Sequence, residues 1–493
     1  MTKSTRRARP RTCLDPARQA AYDALRAVDL CDAYLNLTLS RLFTERRVDA
    51  RDAAFATELA NGTARLQGSY DAIIDPLVSA GAASVQPEVR TALRLGAHQL
   101  LSMRVPAHAA VGTSAELVRE AVGERPVRLV NAVLRRLEGR SLDEWLSLCA
   151  PPLDADPVGH LAVRYSHPAW IVSAFLDVLG NVDELVALLE ADNVAPAVTL
   201  AVRPGLMSVD ELEAEALSAS TQRPEEVGGS AGKSWRVGGK GLAGRGVERG
   251  RWSPYAVVLN GGNPGALIAV RSGRAGVQDE GSQLAALALA RVELSGGDSR
   301  WLDLCAGPGG KAALLTGLAR ARGATLIAAE HQPHRARLVR QALRANGGVP
   351  PVAVADGRLP AWRDGAFDRV LVDAPCTGLG ALRRRPESRW RRQPADLDAL
   401  VPLQQALLGA AIDSTRTGGV VAYVTCSPHL AETRGVVDAV LSSRRDVAEE
   451  DARATLPEVP DPGAGPHLQL WPHRHGTDAM FVSLLRRRSP DAC

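Results

Sequence analysis

Apolar residues recur at three- and four-residue spacing from about Cys13 to Arg140, which is the period of an amphipathic helix. The clearest groups are Ala20-Tyr22-Leu25, Ala54-Phe55-Leu59 and Leu93-Leu95-Leu100, with separating prolines at positions 76, 87, 106 and 126. No stretch of this region alternates convincingly in the manner of a strand. The pattern therefore predicts an all-α domain of five or six helices of bundle length.

The periodic signal weakens between about Ala150 and Arg274. It predicts helices around Trp170–Leu189, a strand at Val198–Pro204 and a helix at Val209–Leu217. The segment 222–252 is rich in Gly, Lys and Arg, and its composition fits a mobile RNA-facing loop and a tolerated insertion equally well. This middle region is predicted to be a small α+β linker domain.

From about Gly276 the pattern changes to alternating strands and helices, which predicts a doubly wound, mostly parallel sheet of the Rossmann-like kind. Strands are expected at Trp301–Leu304, Thr325–Ala329, Val352–Ala355, Arg369–Val372 and Val420–Val424. Helices are expected near Ala312–Ala321, Pro333–Ala345, Leu397–Thr415 and Ala431–Ser443. A closing pair, His467–Trp471 and Ala479–Leu485, predicts a hairpin at one edge of the sheet.

These patterns divide the chain into four parts. Residues 1–12 form a basic tail that is expected to be disordered, 13–145 the helical domain, 150–274 the linker domain and 275–488 the α/β domain. A length of 493 residues suits several domains, each able to bury its own core.

Composition narrows the class of protein. Seven scattered cysteines, none spaced C-x-x-C, disfavour a disulfide framework and a zinc site, so no metal and a reducing cytoplasm are expected. No apolar run reaches the roughly 18 residues of a membrane helix. The formal net charge of +4 is too small to establish a nucleic-acid partner, and local basic patches matter more than the total. We expect a monomer that does not bind membranes.

The stretch Arg300–Lys311, R-W-L-D-L-C-A-G-P-G-G-K, predicts a strand, a tight glycine turn and a helix. Such turns bind several ligands at the carboxyl end of a strand. A phosphate-binding loop needs Gly five residues before the final Gly and Ser or Thr after Lys, whereas Cys305 and Ala312 stand there. The dinucleotide pattern G-x-G-x-x-G is also absent.

Acidic residues follow the next three predicted strands. Glu330 is placed to accept both hydroxyl groups of a ribose, and Asp356 to accept a hydrogen bond from an adenine amino group. Asp373 ends the fourth strand. Any one of them is more commonly a helix cap or turn residue, but three in succession favour a nucleoside-containing cofactor.

Two cysteines also follow strands, in D-A-P-C (Asp373 to Cys376) and T-C-S-P (Thr425 to Pro428). Buried cysteines are usually inert, but these lie in strand-end loops, where function concentrates. A thiolate that adds to C6 of cytosine makes C5 nucleophilic enough to attack a methyl donor. A base must then remove the C5 proton before the thiol can leave.

The helical part resembles NusB, a helical RNA-binding antitermination factor. The resemblance rests on N-G-T-A-R from Asn61, L-R-L-G-A-H-Q-L-L from Leu93 and V-N-A-V-L-R-R-L from Val130, and covers most of residues 13–140. It implies a domain that helps to hold ribosomal RNA.

With that domain in front, the α/β part resembles the RNA cytosine-C5 methyltransferases, specifically the bacterial 16S ribosomal RNA enzymes of the RsmB/Fmu/Sun type. The resemblance implies a class I methyltransferase that uses S-adenosylmethionine, with Cys426 as nucleophile, Cys376 assisting product release and Asp373 acting at N3. It implies a cofactor site formed by Cys305, Ala306, Gly307, Pro308, Gly309, Gly310, Lys311, Glu330, Asp356 and Asp373. Cys305 is expected to pack beside the cofactor.

Two positions depart from the family pattern: Gly307 stands where the family usually has Ala, and Glu330 where it more often has Asp. The segment Q-D-E-G-S-Q (Gln278 to Gln283) resembles the family's cofactor-side segment. The run Leu382–Arg392 combines six Arg with Trp390, which predicts a loop that grips phosphate and stacks on a base.

Three alternatives remain beside methylation of 16S ribosomal RNA. The substrate could be a tRNA or 23S ribosomal RNA. A non-catalytic rRNA-binding assembly factor could retain the same fold, although retention of both cysteines and all three acids argues against it. DNA cytosine methyltransferases use a Pro-Cys nucleophile and would not need Cys426.

Overall fold

The computed structural model describes residues 15–31, 33–79, 81–103, 105–221, 246–346, 351–359 and 361–489. Contacts divide the chain into two compact units. The first contains the described residues up to Val172 together with Arg385–Arg391, and the second contains most of the remainder. The predicted tail 1–12 and residues 222–245 of the predicted loop lie outside the described residues. The four-part division of the chain stays a prediction.

The first unit is helical, as predicted. Its helices are α1 (Pro16–Cys31), α2 (Leu35–Arg46), α3 (Ala50–Arg65), α4 (Gln67–Ile74), α5 (Pro87–Leu101), α6 (Ala107–Ala121), α7 (Val127–Leu137), α8 (Leu142–Cys149) and α9 (Pro157–Tyr165). Seven of these described helices fall within the region expected to hold five or six. The difference arises partly because only Leu66, which is not helical, separates α3 from α4.

Helix α7 illustrates how the sequence forms this bundle. Its residues Val130, Val133, Leu134 and Leu137 follow the three- and four-residue spacing and are fully or almost fully buried. Basic residues occupy the other face, so the helix gains little stability until it packs. Helix α8 begins with a capping box in which the side chain of Ser141 accepts from the backbone N–H of Glu144, whose carboxylate accepts in return from the backbone N–H of Ser141.

The second unit begins with a small antiparallel sheet. Helix α10 (Ala169–Leu179) carries the chain from one unit to the other, followed by α11 (Val182–Asp192), β1 (Val198–Val202), α12 (Val209–Thr221), β2 (Val247–Arg249), β3 (Ala256–Leu259), α13 (Ile268–Ser272) and β4 (Ala275–Val277). The strand order is β2-β3-β1-β4. Strand β1 confirms the prediction, whereas the other three strands contain too few residues to show an alternating pattern.

Apart from α17, which belongs to the first unit, the remaining elements build the large sheet or connect its strands along the chain. They are α14 (Glu280–Arg291), β5 (Arg300–Asp303), α15 (Gly310–Arg320), β6 (Thr325–Glu330), α16 (Pro333–Leu343), β7 (Val352–Val354), β8 (Phe367–Asp373), α17 (Ser388–Arg391), α18 (Asp396–Ser414), β9 (Thr415–Thr425), α19 (Arg434–Ser443), β10 (Val447–Glu450), β11 (Leu468–Gln469), α20 (Pro472–His475) and β12 (Phe481–Arg487).

Among the described residues the large sheet has the order β10-β12-β9-β8-β5-β6-β7. Strands β5 to β9 are parallel, which confirms the predicted doubly wound sheet. The predicted pairing of the two closing segments is confirmed, because β11 pairs with β12 in antiparallel fashion. Their predicted position at the edge is wrong, because β12 lies between β9 and β10. Strand β10, V-A-E-E, escaped prediction because two of its four residues are acidic.

The order of the strands reverses beside β5. From β5 the chain proceeds outward to β6 and β7, and then returns to form β8 and β9 on the other side. Helices cover both faces, so central strands such as β8 are buried almost throughout. Ligands of such sheets bind at the carboxyl ends of the strands next to this reversal, which here lies between β5 and β8. None of the described helices is long and apolar enough to cross a membrane.

Candidate active site

The glycine turn after β5 is held to both neighbouring strands. The N–H of Leu304 donates to the carbonyl of Leu371 in β8 (2.9 Å), and that of Ala306 to the carbonyl of Ala329 in β6 (2.9 Å). Gly309 has a φ of 109° immediately before α15. A Cβ atom there would lie 2.7 Å from the Cβ of Ala342. Only glycine fits this conformation and this approach to α16.

Glu330, at the end of β6, supports the same turn. Its carboxylate accepts from the backbone N–H groups of Gly307 (3.0 Å) and Gln332 (2.9 Å). Arg335 donates to the carbonyl of Gly307 (2.6 Å) and lies 3.7 Å from the Glu330 carboxylate. A Cβ atom on Gly307 would come within 2.3 Å of a Glu330 carboxylate oxygen, so the two residues constrain each other.

Lys311 and Asp373 join the turn to the end of β8. The Lys311 ammonium donates to the Asp373 carboxylate at 2.8 Å. Burial opposes the charge on Lys311, but Asp373 and the nearby Cys426 sulfur offset it and raise the pKa of Lys311. Asp303, fully buried at the end of β5, has its pKa raised to about 8 by burial and by the charge of Asp373. Asp303 is therefore protonated at neutral pH.

Asp356 follows β7 and is occupied by Arg358. Its carboxylate accepts from the backbone N–H of Arg358 (3.0 Å) and from that residue's guanidinium (2.6 Å). These hydrogen bonds lower the pKa of Asp356 to about 2. The carboxylate is ionised, and a ligand that used it would share it with Arg358.

The structure brings the two predicted cysteines together. The Sγ atoms of Cys376, after β8, and Cys426, after β9, lie 3.5 Å apart. The hydrogen bond with Cys426, burial and the charges of Cys426, Glu432 and Asp373 raise the pKa of Cys376 well above its usual value. The Cys376 thiol is therefore held in its protonated form, beside the sulfur of Cys426.

Cys305 differs from these two cysteines. Burial and the carboxylates of Asp303, Asp373 and Glu330 raise the pKa of its thiol well above the usual value. A neutral thiol of this kind behaves as a small apolar residue. This agrees with its expected packing role.

The predicted RNA-gripping loop is wrong for Arg383 and Arg389, which are buried. Arg383 and Arg384 bond to Asp279 and Asp478 within the second unit. Arg389 donates to the carbonyls of Arg65 (2.9 Å) and Ser166 (3.1 Å) within the first unit. The other three are partly engaged: Arg391 donates to the carbonyl of Ala33, Arg392 to that of Thr377, and Arg385 lies over the Tyr34 ring. Arginine interleaved with an aromatic residue signals internal packing as readily as RNA binding.

The segment Gln278–Gln283 contacts the turn through one side chain. Gln278 packs beside Gly310 and accepts from Arg203 (3.1 Å), which also donates to the Gly310 carbonyl (3.4 Å). Asp279 caps α14 instead. No sequence pattern singles out Arg203, because it follows a short strand far upstream.

Sequence reasoning also missed three residues beside the cysteines. Thr377, Ser427 and Glu432 are buried polar residues that bond to one another behind the two cysteine loops. Glu432 lies in an ordinary-looking turn before α19, so only its burial distinguishes it.

Comparisons with known proteins agree with this fold and site. A model of the family described as 16S rRNA methyltransferase RsmB/F matches residues 290–486, and a NusB family model matches residues 15–139. The chain is 49% identical, over 99% of its length and the whole of the relative, to a putative methyltransferase of Mycobacterium tuberculosis. It is 32% identical to the ribosomal RNA small subunit methyltransferase B of Pseudomonas putida, over 95% of this chain and 98% of that one.

A solved structure also shares the fold. The crystal structure of PH0851 superposes with a TM-score of 0.75, covering 97% of this chain and 99% of that one at 21% identity. The doubly wound sheet and the strand-end site define a Rossmann-like RNA methyltransferase. The chain belongs to the 16S rRNA methyltransferase RsmB/F family, with a NusB family domain at its N-terminal side. The resemblance stated from the sequence is confirmed.

Proposed function

We propose that this enzyme transfers the methyl group of S-adenosylmethionine to C5 of a cytosine in 16S ribosomal RNA, through a covalent bond between Cys426 and C6. The observation that carries the proposal is the pair of cysteine sulfurs 3.5 Å apart at the carboxyl edge of the sheet. One catalytic thiol would suffice for addition to C6 of the cytosine. A second thiol at this distance can assist the reverse step, in which the bond between C6 and the first sulfur breaks.

The residues of the glycine turn fit S-adenosylmethionine. Glycines at 307, 309 and 310 let the turn pack closely against Glu330, α16 and Gln278. Glu330 ends β6, where a ribose diol is bound in such sheets. Asp373 and Lys311 lie across the turn, with Asp356 further along the edge. When bound, the cofactor supplies a methyl group on an electron-deficient sulfonium.

The acceptor steps use Cys426 and Asp373. Before attack, the Lys311 ammonium stabilises the thiolate of Cys426, whose charge helps to raise the pKa of Lys311. The sulfur of Cys426 then bonds to C6 of the ring. The Cys426 thiol loses a proton in this step, and N3 of the cytosine gains one. Asp373 binds the edge of the ring that carries N3. The electron pair displaced from the C5–C6 double bond makes C5 the nucleophile that takes the methyl group.

Product release reverses the addition. A base removes the C5 proton, the bond between C6 and sulfur breaks, and its electron pair returns to Cys426. The Cys376 thiol, whose sulfur lies 3.5 Å from that of Cys426, donates a hydrogen bond to the departing sulfur in this step. The target cytosine must be unpaired or flipped out, since C6 is inaccessible in a stacked helix.

Small-subunit rRNA is supported as substrate by the family description and by the names of the relatives. The NusB family domain adds a helical RNA-binding element. Bisulfite sequencing of 16S rRNA, 23S rRNA and tRNA from cells with and without the protein tests this. We expect the loss of one C5-methylcytosine from 16S rRNA; loss from another RNA would contradict the substrate.

The roles of the two cysteines are tested with purified protein, labelled cofactor and 16S rRNA. We expect Cys426→Ala to abolish methyl transfer, by at least about 10³-fold, because the addition step is lost. We expect Cys376→Ala to accumulate a protein–RNA adduct that survives denaturing electrophoresis. Cys31→Ala, at an exposed position in the helical unit, serves as the matched control. An adduct formed by Cys426→Ala would reverse the assignment.

A further inference from the structure

The Sγ atoms of Cys376 and Cys426 stay 3.5 Å apart only if the two loops that carry them keep a fixed position relative to each other. Each cysteine is followed by a buried hydroxyl residue, Thr377 after the first and Ser427 after the second. Their Oγ atoms lie 3.1 Å apart, so the loops are joined a second time, one residue beyond each cysteine.

Glu432 is fully buried behind these hydroxyls. Its carboxylate accepts from the backbone N–H of Thr377 (2.8 Å) and from the hydroxyl of the same residue. Because that hydroxyl also meets Ser427, the carboxylate is linked to both cysteine loops through Thr377.

Two further residues fix Glu432. The side-chain amide of Gln404, on α18, donates to the Glu432 carboxylate (3.0 Å) and to the carbonyl of Pro375 (2.8 Å), which precedes Cys376. The hydroxyl of Tyr423, on β9, donates to the backbone carbonyl of Glu432 (2.7 Å). Glu432 is thus held by the sheet through its backbone carbonyl and by a helix through its carboxylate.

Hydrogen bonds to a buried carboxylate are short, directional and costly to break. They restrict both loops far more than solvent-exposed bonds would. The consequence is chemical, since displacement of a reacting group by about 1 Å can cost about 10²-fold in rate.

We propose that Glu432 is a positioning residue that sets the distance between the two catalytic sulfurs. It acts through Thr377 and Ser427 and does not contact the substrate. Its effect on rate rests on the proposed function, whereas its effect on the sulfur distance does not.

Glu432→Gln and Glu432→Ala separate hydrogen bonding from charge. The glutamine carbonyl can accept from the Thr377 N–H and Gln404, while its amide donates to the Thr377 hydroxyl, which turns toward Ser427. We expect this variant to keep kcat within about fivefold of the wild type. We expect the alanine variant to lose about 10²-fold in kcat with KM for the cofactor within about threefold.

Thr377→Val provides a milder break, because it removes the hydroxyl bridge and keeps the backbone bond to Glu432. We expect about a tenfold loss of kcat. If Glu432→Ala does not fold, Thr377→Val tests whether the link between Glu432 and the cysteine loops positions the two sulfurs.

The proximity of the two sulfurs is tested by chemical cross-linking, without RNA or cofactor. Dibromobimane bridges neighbouring thiols, and peptide mapping by mass spectrometry gives the yield of the Cys376–Cys426 bridge. We expect a high yield in the wild type and in Glu432→Gln, and at least a fivefold lower yield in Glu432→Ala and Thr377→Val. A wild type that bridges but methylates no RNA would refute the proposed function alone.

Asp368→Ala is the matched control for general destabilisation. Asp368 is also buried and accepts from two backbone N–H groups and an arginine, but it lies near the start of β8, at the opposite edge of the sheet. We expect it to lower Tm without lowering kcat or the bridge yield. The proposal is overturned if Glu432→Gln is as inactive as Glu432→Ala, or if Glu432→Ala keeps both the rate and the bridge.

Discussion

Gly307 and Glu330, the two residues expected to depart from the family pattern, lie against each other in the fold. The longer Glu330 side chain reaches the backbone N–H of Gly307 at 3.0 Å. A Cβ atom at position 307 would lie only 2.3 Å from its carboxylate oxygen. The carboxylate of Glu330 therefore occupies the space that a methyl group at position 307 would need.

This pair predicts a non-additive double-mutant cycle. We expect Gly307→Ala to weaken binding of S-adenosylhomocysteine about tenfold by displacing Glu330, and Glu330→Asp to weaken it similarly by leaving a gap. The double variant should bind within about threefold of the wild type, since the shorter acid makes room for the methyl group. Titration calorimetry measures all four affinities, and simple addition of the two losses would contradict the pairing.

Asp303 gives the folded protein an extra proton. Burial and the charge of Asp373 raise its pKa to about 8, whereas an unfolded aspartate ionises near about 4. Between these values the folded state binds one proton more than the unfolded state. Stability therefore falls as pH rises through this window.

The linkage is tested with Asp303→Asn, which cannot ionise. We expect the Tm of the wild type, relative to this variant, to decline from pH 5 to pH 8 and to level off above that. Asp298→Asn is the control with the opposite sign: burial opposes ionisation of Asp298, but hydrogen bonds from Arg369 more than offset it and lower its pKa. Its stabilisation is already complete at pH 5, so its difference from the wild type should be constant across this window.

At the scale of elements, Asp279 joins three parts of the second unit. It caps α14 by accepting from the N–H of Gly281 (2.9 Å) and forms ion pairs with Arg383 and Arg384. It also accepts from the N–H of Asp478, shortly before β12. The arginine pairs together lower the pKa of Asp279 against the effect of burial.

We expect Asp279→Ala to destabilise the second unit by about 3 kcal/mol, because it leaves two guanidinium groups short of a buried partner. Chemical denaturation measures the change in unfolding free energy. Asp451→Ala removes a surface pair with Arg453 and should cost less than about 1 kcal/mol. Equal losses for the two variants would show that burial of the cluster has no special effect.

The elements differ in how far sequence predicts them. The parallel strands were predictable because buried strands form continuous apolar runs, as β8 does. The small sheet was not, since β2 and β4 have three residues each and are defined only by pairing with distant partners. The order of β12 and β10 likewise depends on pairing, which leaves no local pattern.

The same limit applies to the site. Cys376, Cys426, Asp373 and the glycine turn could be selected because strand ends meet at one edge of a parallel sheet. Glu432 and Arg203 could not, because their contacts arise from the way several elements pack. The contacts of the six arginines of Leu382–Arg392 were unpredictable for the same reason, because composition reveals a charge but not its partner.

At the scale of the whole molecule, the first unit includes a segment from late in the chain. Within that unit Arg389 is fully buried and donates to the carbonyls of Arg65 and Ser166. The terminal ring of Trp390 lies 2.3 Å from where a Cβ atom on Gly68 would stand. Arg385–Arg391 is therefore part of the helical core structure.

We expect Arg389→Met to destabilise the helical unit by about 3 kcal/mol, because two buried carbonyls lose a charged donor. Hydrogen exchange should accelerate at amides of α3, α4 and α9, while strands β5 and β8 keep their protection. Arg385→Met, at an exposed position in the same segment, should change neither. Uniform acceleration across both units would contradict a local role.

The late position of Arg385–Arg391 also matters for the order of synthesis. The ribosome synthesises α1 to α9 well before it reaches Arg389. The carbonyls of Arg65 and Ser166 therefore lack the hydrogen bonds from Arg389 until the intervening chain has been made. The helical unit can form early but is completed only after the loop that carries Cys376 has emerged. Its final stability thus depends on translation having passed Cys376, although Cys426 is made later still.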